Sequence, residues 1–159
     1  MSSLIHAVSK LRIDDEIIWF ELAQQMAARH EQLSLRNLSV CAFAMTNISR
    51  LKPVILNFDD VFKMMELSFV KKFESGKVVG QDISNTLIAY SKSQNGSNQF
   101  WRALESTVLK HAPLLSPQEL SNVIYSYFKA ENAVCEELYE ALKPTVKKEL
   151  HKMKPVELC

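Results

Sequence analysis

Amide, aromatic and ammonium side chains recur at regular distances along this chain of 159 residues. Single-stranded RNA is recognised by amides that bind base edges, by rings that stack on bases and by cations that contact phosphates. The residues that offer this chemistry are Asn85, Asn122, Tyr125, Lys10, Lys92 and Lys129. Asn85 and Asn122 are 37 residues apart, and so are Lys92 and Lys129, so a repeated structural unit must position them.

A second group of cations stands near the end of the sequence and consists of Lys143, Lys147, Lys148 and Lys152. Residues four positions apart lie on one side of a helix, so these lysines would line a single helix face. Such a face can contact phosphates. The alternative interpretation is an ordinary solvated helix surface.

The sequence lacks the patterns that common catalytic and metal sites require. It contains no Gly-rich phosphate loop, no GxSxG and no HExxH. The three cysteines, Cys41, Cys135 and Cys159, form no CxxC pair and have no histidine at ligand spacing. We therefore expect no enzymatic activity, no metal and no cofactor. Cys41 is predicted to be a buried, unreactive thiol.

The composition favours helices, because strong helix formers dominate and only three glycines and five prolines interrupt them. An apolar fraction of 47% is sufficient for a buried core. The 19 basic and 18 acidic residues nearly balance, so any nucleic-acid binding must depend on local charge. No apolar run approaches the roughly 20 residues of a membrane-spanning helix, so membrane insertion is not expected.

Four segments of the sequence align with one another, and they begin at Met1, Leu38, Ile83 and Leu120. The starts are separated by 37, 45 and 37 residues, which indicates eight additional residues in the second segment, near 47–60. We divide the chain, as one array over residues 1–159, into repeats 1–37, 38–82, 83–119 and 120–157. Leu158 would open a fifth repeat, so we expect a longer array or an end that a partner covers.

Each repeat has the pattern of two helices. Apolar residues at the first, fourth, fifth and eighth positions predict the first helix, and Ser116 begins a capping box that should start one such helix at about Pro117. The polar stretch 93–98 should separate two helices. Core positions of the second helix are predicted 18 residues after the first position of each repeat, at Trp19, Trp101 and Leu138, and at Met64 once the eight additional residues are subtracted. Further core positions are predicted three residues later, at Leu22, Leu67, Leu104 and Ala141.

On a helical wheel, the third, sixth and tenth positions of each repeat point away from the apolar face. The third positions are Ser3, Val40, Asn85 and Asn122. The sixth positions are His6, Phe43, Ile88 and Tyr125, and the tenth are Lys10, Asn47, Lys92 and Lys129. We predict that these residues form one outward stripe for RNA. In the alternative, the sixth-position residues pack against the next repeat and the asparagines are simply solvated.

The period and the motif around Leu120 and Ile83, with its Ser-Pro-Gln-Glu lead-in at Ser116, resemble heptatricopeptide and octotricopeptide repeats. The resemblance covers essentially the whole chain. It implies an all-α fold, a right-handed α-solenoid of about four helix-turn-helix pairs. It also implies RNA binding in a mitochondrion, as part of a ribosome or a similar ribonucleoprotein that contains ribosomal RNA and neighbouring protein subunits. The competing hypothesis is a protein-binding scaffold with no direct RNA role, which the nearly neutral charge favours.

Overall fold

The computed structural model describes residues 2–51, 57–131, 133, 136–152 and 154. Within these residues the fold is all-α, as predicted, and contains no β-strand. The helices are α1 (Ser2–Lys10), α2 (Glu16–Arg29), α3 (Leu35–Ser49), α4 (Asp59–Ser75), α5 (Gly80–Lys92), α6 (Asn98–His111), α7 (Pro117–Lys129) and α8 (Glu136–Glu149). Short 3₁₀ turns, at His30–Gln32, Ala112–Leu114 and Leu150–Lys152, extend α2, α6 and α8.

Local signals set the helix starts. The Ser116 hydroxyl accepts a hydrogen bond from the Glu119 backbone N–H, the Glu119 carboxylate accepts one from the Ser116 backbone N–H, and α7 begins at Pro117, as predicted. Ser97 likewise caps α6, within the predicted polar stretch 93–98. The helices α3, α5 and α7 each begin three residues before the first core position of their repeat. The helical unit therefore starts slightly earlier than the sequence repeat.

The first helix of each repeat contacts the first helix of the next. The contacts run from α1 to α3, from α3 to α5 and from α5 to α7, and the second helices α2, α4, α6 and α8 also contact one another in chain order. The Ser9 hydroxyl donates to the Ala44 carbonyl at 3.1 Å, and the Thr46 hydroxyl donates to the Ala89 carbonyl at 3.1 Å. Both bonds join the ninth position of one repeat to the seventh of the next. Small side chains at the seventh position permit this close approach.

The core lies between the first and the second helices. Trp19, Trp101 and Leu138 are buried there, as predicted, and so are Leu22 and Leu104. These positions recur at one distance from the start of their repeat because each faces the first helices. The buried aromatic rings of α4, α5 and α6 contact one another, with Tyr90 and Phe100 stacked at 4.2 Å between ring centroids.

The prediction for the second repeat is wrong, because Met64 and Leu67 are 43% and 59% exposed. The Tyr90 hydroxyl donates to the Phe62 carbonyl at 2.8 Å, and the Tyr127 hydroxyl donates to the Trp101 carbonyl at 3.1 Å. Phe62 therefore occupies, in the second repeat, the position that Trp101 occupies in the third. Leu38 and Phe62 are 24 residues apart, against 18 for Ile83 and Trp101, so six of the additional residues precede Phe62 and two follow it.

Four further expectations have different outcomes. Ala141 is exposed, so the predicted core position at this point of α8 is wrong; Leu142, one residue later, is buried instead. Part of the insertion, residues 52–56, lies outside the described residues, as do Leu158 and the predicted fifth repeat. No helix in the described part of the chain is long and apolar enough to span a membrane.

Candidate nucleic-acid interface

The carboxyl-terminal ends of the first helices carry a row of cations, which we call the basic edge. It consists of Lys10, Arg12, Arg50, Lys92 and Lys129. Lys10, Lys92 and Lys129 are the last residues of their helices, and Arg50 directly follows α3. Cations at these places interact favourably with the helix dipole. Three members of the edge were predicted from the sequence as tenth-position lysines.

Contacts between consecutive repeats place these helix ends beside one another. The Gln94 side-chain amide, in the turn after α5, donates to the Lys129 carbonyl at the end of α7, at 3.3 Å. Arg50 and Lys92 border the same cavity of about 230 Å³, together with Asn57 and Asp59. The basic edge therefore extends across all four repeats.

Lys92 is half-buried, and its surroundings disfavour its charged form. Burial lowers the pKa of Lys92, and the neighbouring Arg50 guanidinium lowers it further. Two like charges that share a partly desolvated site repel each other, and an anion between them would relieve that repulsion. Asp59 also borders this cavity and partly offsets the two cations, and its carboxylate accepts a hydrogen bond from the Asn95 amide at 2.9 Å. This part of the edge is suited to a phosphate.

A second cavity, of about 370 Å³, opens between the ends of α1 and α3. We call it the α1/α3 cleft. It is lined by His6, Ser9, Lys10, Arg12, Phe43, Asn47 and Leu51. Four of these residues belong to the predicted stripe, at its sixth and tenth positions. The lining contains cations, an amide and an aromatic ring, and no carboxylate.

The third-position asparagines do not form an open row. The Asn122 side-chain amide donates to the Ser84 hydroxyl at 2.8 Å and thereby joins α7 to α5. Asn122, which was predicted to lie on the outward stripe, is therefore half-buried and engaged with α5, because the third position lies at the contact with the preceding first helix. Asn85, at the equivalent position of α5, is half-buried.

The sixth-position residues also differ from the prediction. Ile88 is only 7% exposed, whereas Tyr125 is 41% exposed. The helix α5 has first-helix neighbours on both sides, α3 and α7, and this crowding closes the surface around Ile88. Packing, the alternative considered for this position, therefore holds for Ile88. Tyr125 and Ile88 do not share one outward surface.

The cations of α8 lie on the second helix of the fourth repeat, whereas the basic edge lies at the ends of the first helices. Lys143 forms an ion pair with Glu140, and Lys152 forms one with Glu149 at 2.9 Å. The hydrogen bond from Lys152 lowers the pKa of Glu149. Lys147 and Lys148 are exposed. Half of this predicted group is thus partly neutralised by carboxylates of its own helix.

Sequence reasoning missed Arg12 and Arg50, because it considered only the third, sixth and tenth positions. The sequence does contain a signal for these residues, since every first helix has a cation as its last residue or directly after it. A helical wheel describes one isolated helix and omits the turn residues that follow it. Charge at helix ends would have identified the complete edge.

The described residues hold no group of three or more potential metal ligands. Cys41 is fully buried, and burial raises the pKa of its thiol to about 12, so the thiol is protonated at neutral pH. Comparison of the chain with protein-family models, with curated proteins and with solved structures gives no significant match.

Proposed function

We propose that this chain is a non-catalytic RNA-binding repeat protein whose basic edge binds the phosphates of single-stranded RNA. The observation that carries the proposal is the row of five cations at the ends of the four first helices, in which the exposed Arg50 neighbours the half-buried Lys92. Neutralising phosphates with such cations supplies most of the affinity of sequence-independent RNA binding.

The proposal includes an α-solenoid architecture. Its support is the order of contacts, in which first helices meet first helices and second helices meet second helices along the chain. The recurrence of equivalent bonds, such as those from Tyr90 and Tyr127 to second-helix carbonyls, adds to this support. With helix axes about 8–10 Å apart, four first helices would present an edge about 25–30 Å long.

The proposed cellular context rests on the resemblance to heptatricopeptide and octotricopeptide repeats alone. We place the protein in a mitochondrion, in a ribosome or a similar ribonucleoprotein, with ribosomal RNA and neighbouring subunits as partners.

A protein-binding scaffold is the second candidate function. Large apolar side chains on two helices favour it, with Ile17 and Phe20 of α2 75% and 61% exposed, and Tyr125 and Phe128 of α7 41% and 73% exposed. Exposed apolar surfaces of this kind often mark protein interaction sites.

Salt dependence tests the RNA proposal. Fluorescence anisotropy would measure the affinity for a fluorescein-labelled 20-nucleotide oligouridylate from 50 to 300 mM KCl. Five phosphate contacts predict a slope of log affinity against log salt of about −3.5. The Lys92→Gln, Lys129→Gln double variant should reduce the magnitude of the slope by about 1.4.

The matched control is Lys147→Gln with Lys148→Gln on α8, which removes the same charge and should change the slope by less than about 0.5. If the control lowers affinity as much as the test variant does, the basic edge is not the site. Absence of binding by the parent at 50 mM KCl would favour the scaffold.

A further inference from the structure

The α1/α3 cleft differs chemically from the cavity beside Lys92. Its lining has no carboxylate, whereas Asp59 borders the other cavity. The two rings at that other cavity, Phe58 and Phe62, are buried and are 5% and 1% exposed. Phe43 in the α1/α3 cleft is half-buried, so part of its ring is accessible. Of these two cavities along the edge, only the α1/α3 cleft combines unopposed cations with an accessible ring.

The cations of the cleft are held at its mouth by the end of α1. Arg12 has a φ of 53°, in the left-handed region, and it follows the last helical turn. The backbone N–H of Ile13 donates to the Val8 carbonyl at 3.1 Å, which closes the end of the helix around Arg12. Lys10 and Arg12 are both exposed, and neither forms an ion pair with a described residue. Their charges are therefore available to a phosphate.

The Arg12 position has a structural equivalent in the third repeat. Gln94 has a φ of 56°, and Asn95 N–H donates to the Tyr90 carbonyl at 3.0 Å, as Ile13 does to Val8. The Gln94 side chain donates to the carbonyls of Ser91 and Lys129. At this backbone position the third repeat thus has Gln94, whose side chain bonds protein carbonyls. The first repeat has Arg12, which lines the α1/α3 cleft.

The inner part of the cleft is packed against the core and carries side chains that could bind a base. Phe43 packs against the hydrophobic core, which holds its ring in place. Asn47, one turn later on α3, is half-buried and lines the same cleft. The Ser9 hydroxyl is already bonded to the Ala44 carbonyl and closes the floor between the helices. A held ring can stack on a base, and an adjacent amide can bind a base edge.

We infer that the α1/α3 cleft is a subsite for one nucleotide of a single-stranded RNA, with the base on Phe43 and Asn47 and the phosphate between Lys10 and Arg12. The inference rests on the proposed function, since it assigns a specific place to one unit of the bound strand. The volume, about 370 Å³, is within the range of small-ligand sites. The remaining members of the basic edge would contact phosphates without reading bases.

Photocrosslinking tests where the base lies. A 12-nucleotide oligouridylate with 5-iodouridine would be irradiated with the full chain, and mass spectrometry would identify the modified peptides. The inference predicts crosslinks to Phe43 or His6. Crosslinks confined to other peptides, for example those containing Tyr125 or Phe128, would overturn it.

Anisotropy with the same oligonucleotide provides an independent readout. Phe43→Leu, which keeps an apolar side chain, should weaken binding about tenfold, because it removes one base-stacking contact. Lys10→Gln with Arg12→Gln should reduce the magnitude of the salt slope by about 1.4. Asn47→Ala, at a partly exposed position, tests base recognition if Phe43→Leu lowers the melting temperature.

The outcomes separate the inference from the proposed function. If the parent binds RNA with the expected salt slope and both Phe43→Leu and Asn47→Ala bind as the parent does, the subsite is wrong, while RNA binding by the edge stands as long as Lys10→Gln with Arg12→Gln still lowers the slope. If the parent binds no RNA, both fail. If the variants weaken binding and the crosslinks map to Phe43 or His6, while Lys147→Gln with Lys148→Gln binds normally, the subsite is established.

Discussion

The helices α5 and α7 have equivalent positions in their repeats and very different surroundings. In α5 every residue from Asp82 to Ser91 except Asn85 is buried, whereas α7 buries only Leu120, Val123, Ser126 and Tyr127. The cause is the number of neighbours, because α5 packs closely against both α3 and α7, whereas α5 is the described first helix against which α7 packs closely. The burial of a repeat position is thus decided by the adjacent helix as much as by the residue type.

The two helices also differ in chemistry at the ninth position. This position is a small hydroxyl residue in the first three repeats, at Ser9, Thr46 and Ser91, and it is Phe128 in the fourth. The hydroxyls of Ser9 and Thr46 bond the next first helix, which a phenyl ring cannot do. Another helix could not approach the open side of α7 as closely as α5 approaches α3.

Truncation of the side chain at the fifth position of the repeat should give the largest difference in unfolding free energy between α5 and α7. Leu87→Ala in α5 removes a fully buried side chain and should cost about 2–5 kcal/mol. Ile124→Ala, at the equivalent position of α7, is partly exposed and should cost less than half as much. Urea unfolding would measure both. Equal losses would show that the open side of α7 is covered in solution.

An exchange of the ninth-position residues tests the close contact between first helices. Ser91→Phe introduces a ring at a buried site between α5 and its neighbours, and overpacking should cost about 3 kcal/mol. The reverse change, Phe128→Ser on the open side of α7, should alter the free energy of unfolding by less than about 0.5 kcal/mol. An equally small change in the free energy of unfolding for Ser91→Phe and Phe128→Ser would contradict this comparison.

The bond between α3 and α5 makes a smaller, separable contribution. Thr46→Val keeps the shape of a side chain that is 1% exposed and removes the hydroxyl that donates to the Ala89 carbonyl. The Ala89 carbonyl keeps the bond from the Ser93 backbone N–H, so losing the bond from Thr46 should cost about 1 kcal/mol by urea unfolding. Ser91→Ala is the control, since the Ser91 hydroxyl bonds Ile88 within its own helix, and it should cost about 0.5 kcal/mol or less. A Thr46→Val loss no larger than that of the control would argue against the bond.

The smallest effect concerns Asp82, at the start of α5. Burial raises the pKa of its carboxyl from 3.8, although Arg36, the Val79 backbone and Ser39 oppose the shift. A raised folded-state pKa means that the folded protein binds the proton more tightly, so this group's contribution to stability is lost as pH rises from 3.8 through the raised value. Asp82→Asn should therefore become more stable relative to the parent as pH rises across that window, measured by urea unfolding at several pH values. A relative loss with rising pH would contradict the direction of the pKa shift.

The predicted site was recovered from the sequence only in part. Lys10, Lys92 and Lys129 lie at first-helix ends because the repeat period places them there, and the period is visible in the chain. Arg12 and Arg50 join them only through turns after α1 and α3, whose position relative to the next repeat depends on packing. The joint cleft of Phe43 and Lys10 likewise requires α1 and α3 to lie side by side.

Helix type, the capping box at Ser116 and the core positions Trp101 and Leu104 were determined by the sequence itself, because caps and apolar periodicity depend on residues within a few positions of each other. The exposure of Met64, the use of Phe62 in its place and the engagement of Asn122 by Ser84 were decided only by the tertiary structure. An insertion can be divided between two loops in several ways that leave the period unchanged. Only the contact of one helix with its neighbours, here through Tyr90, selects among them.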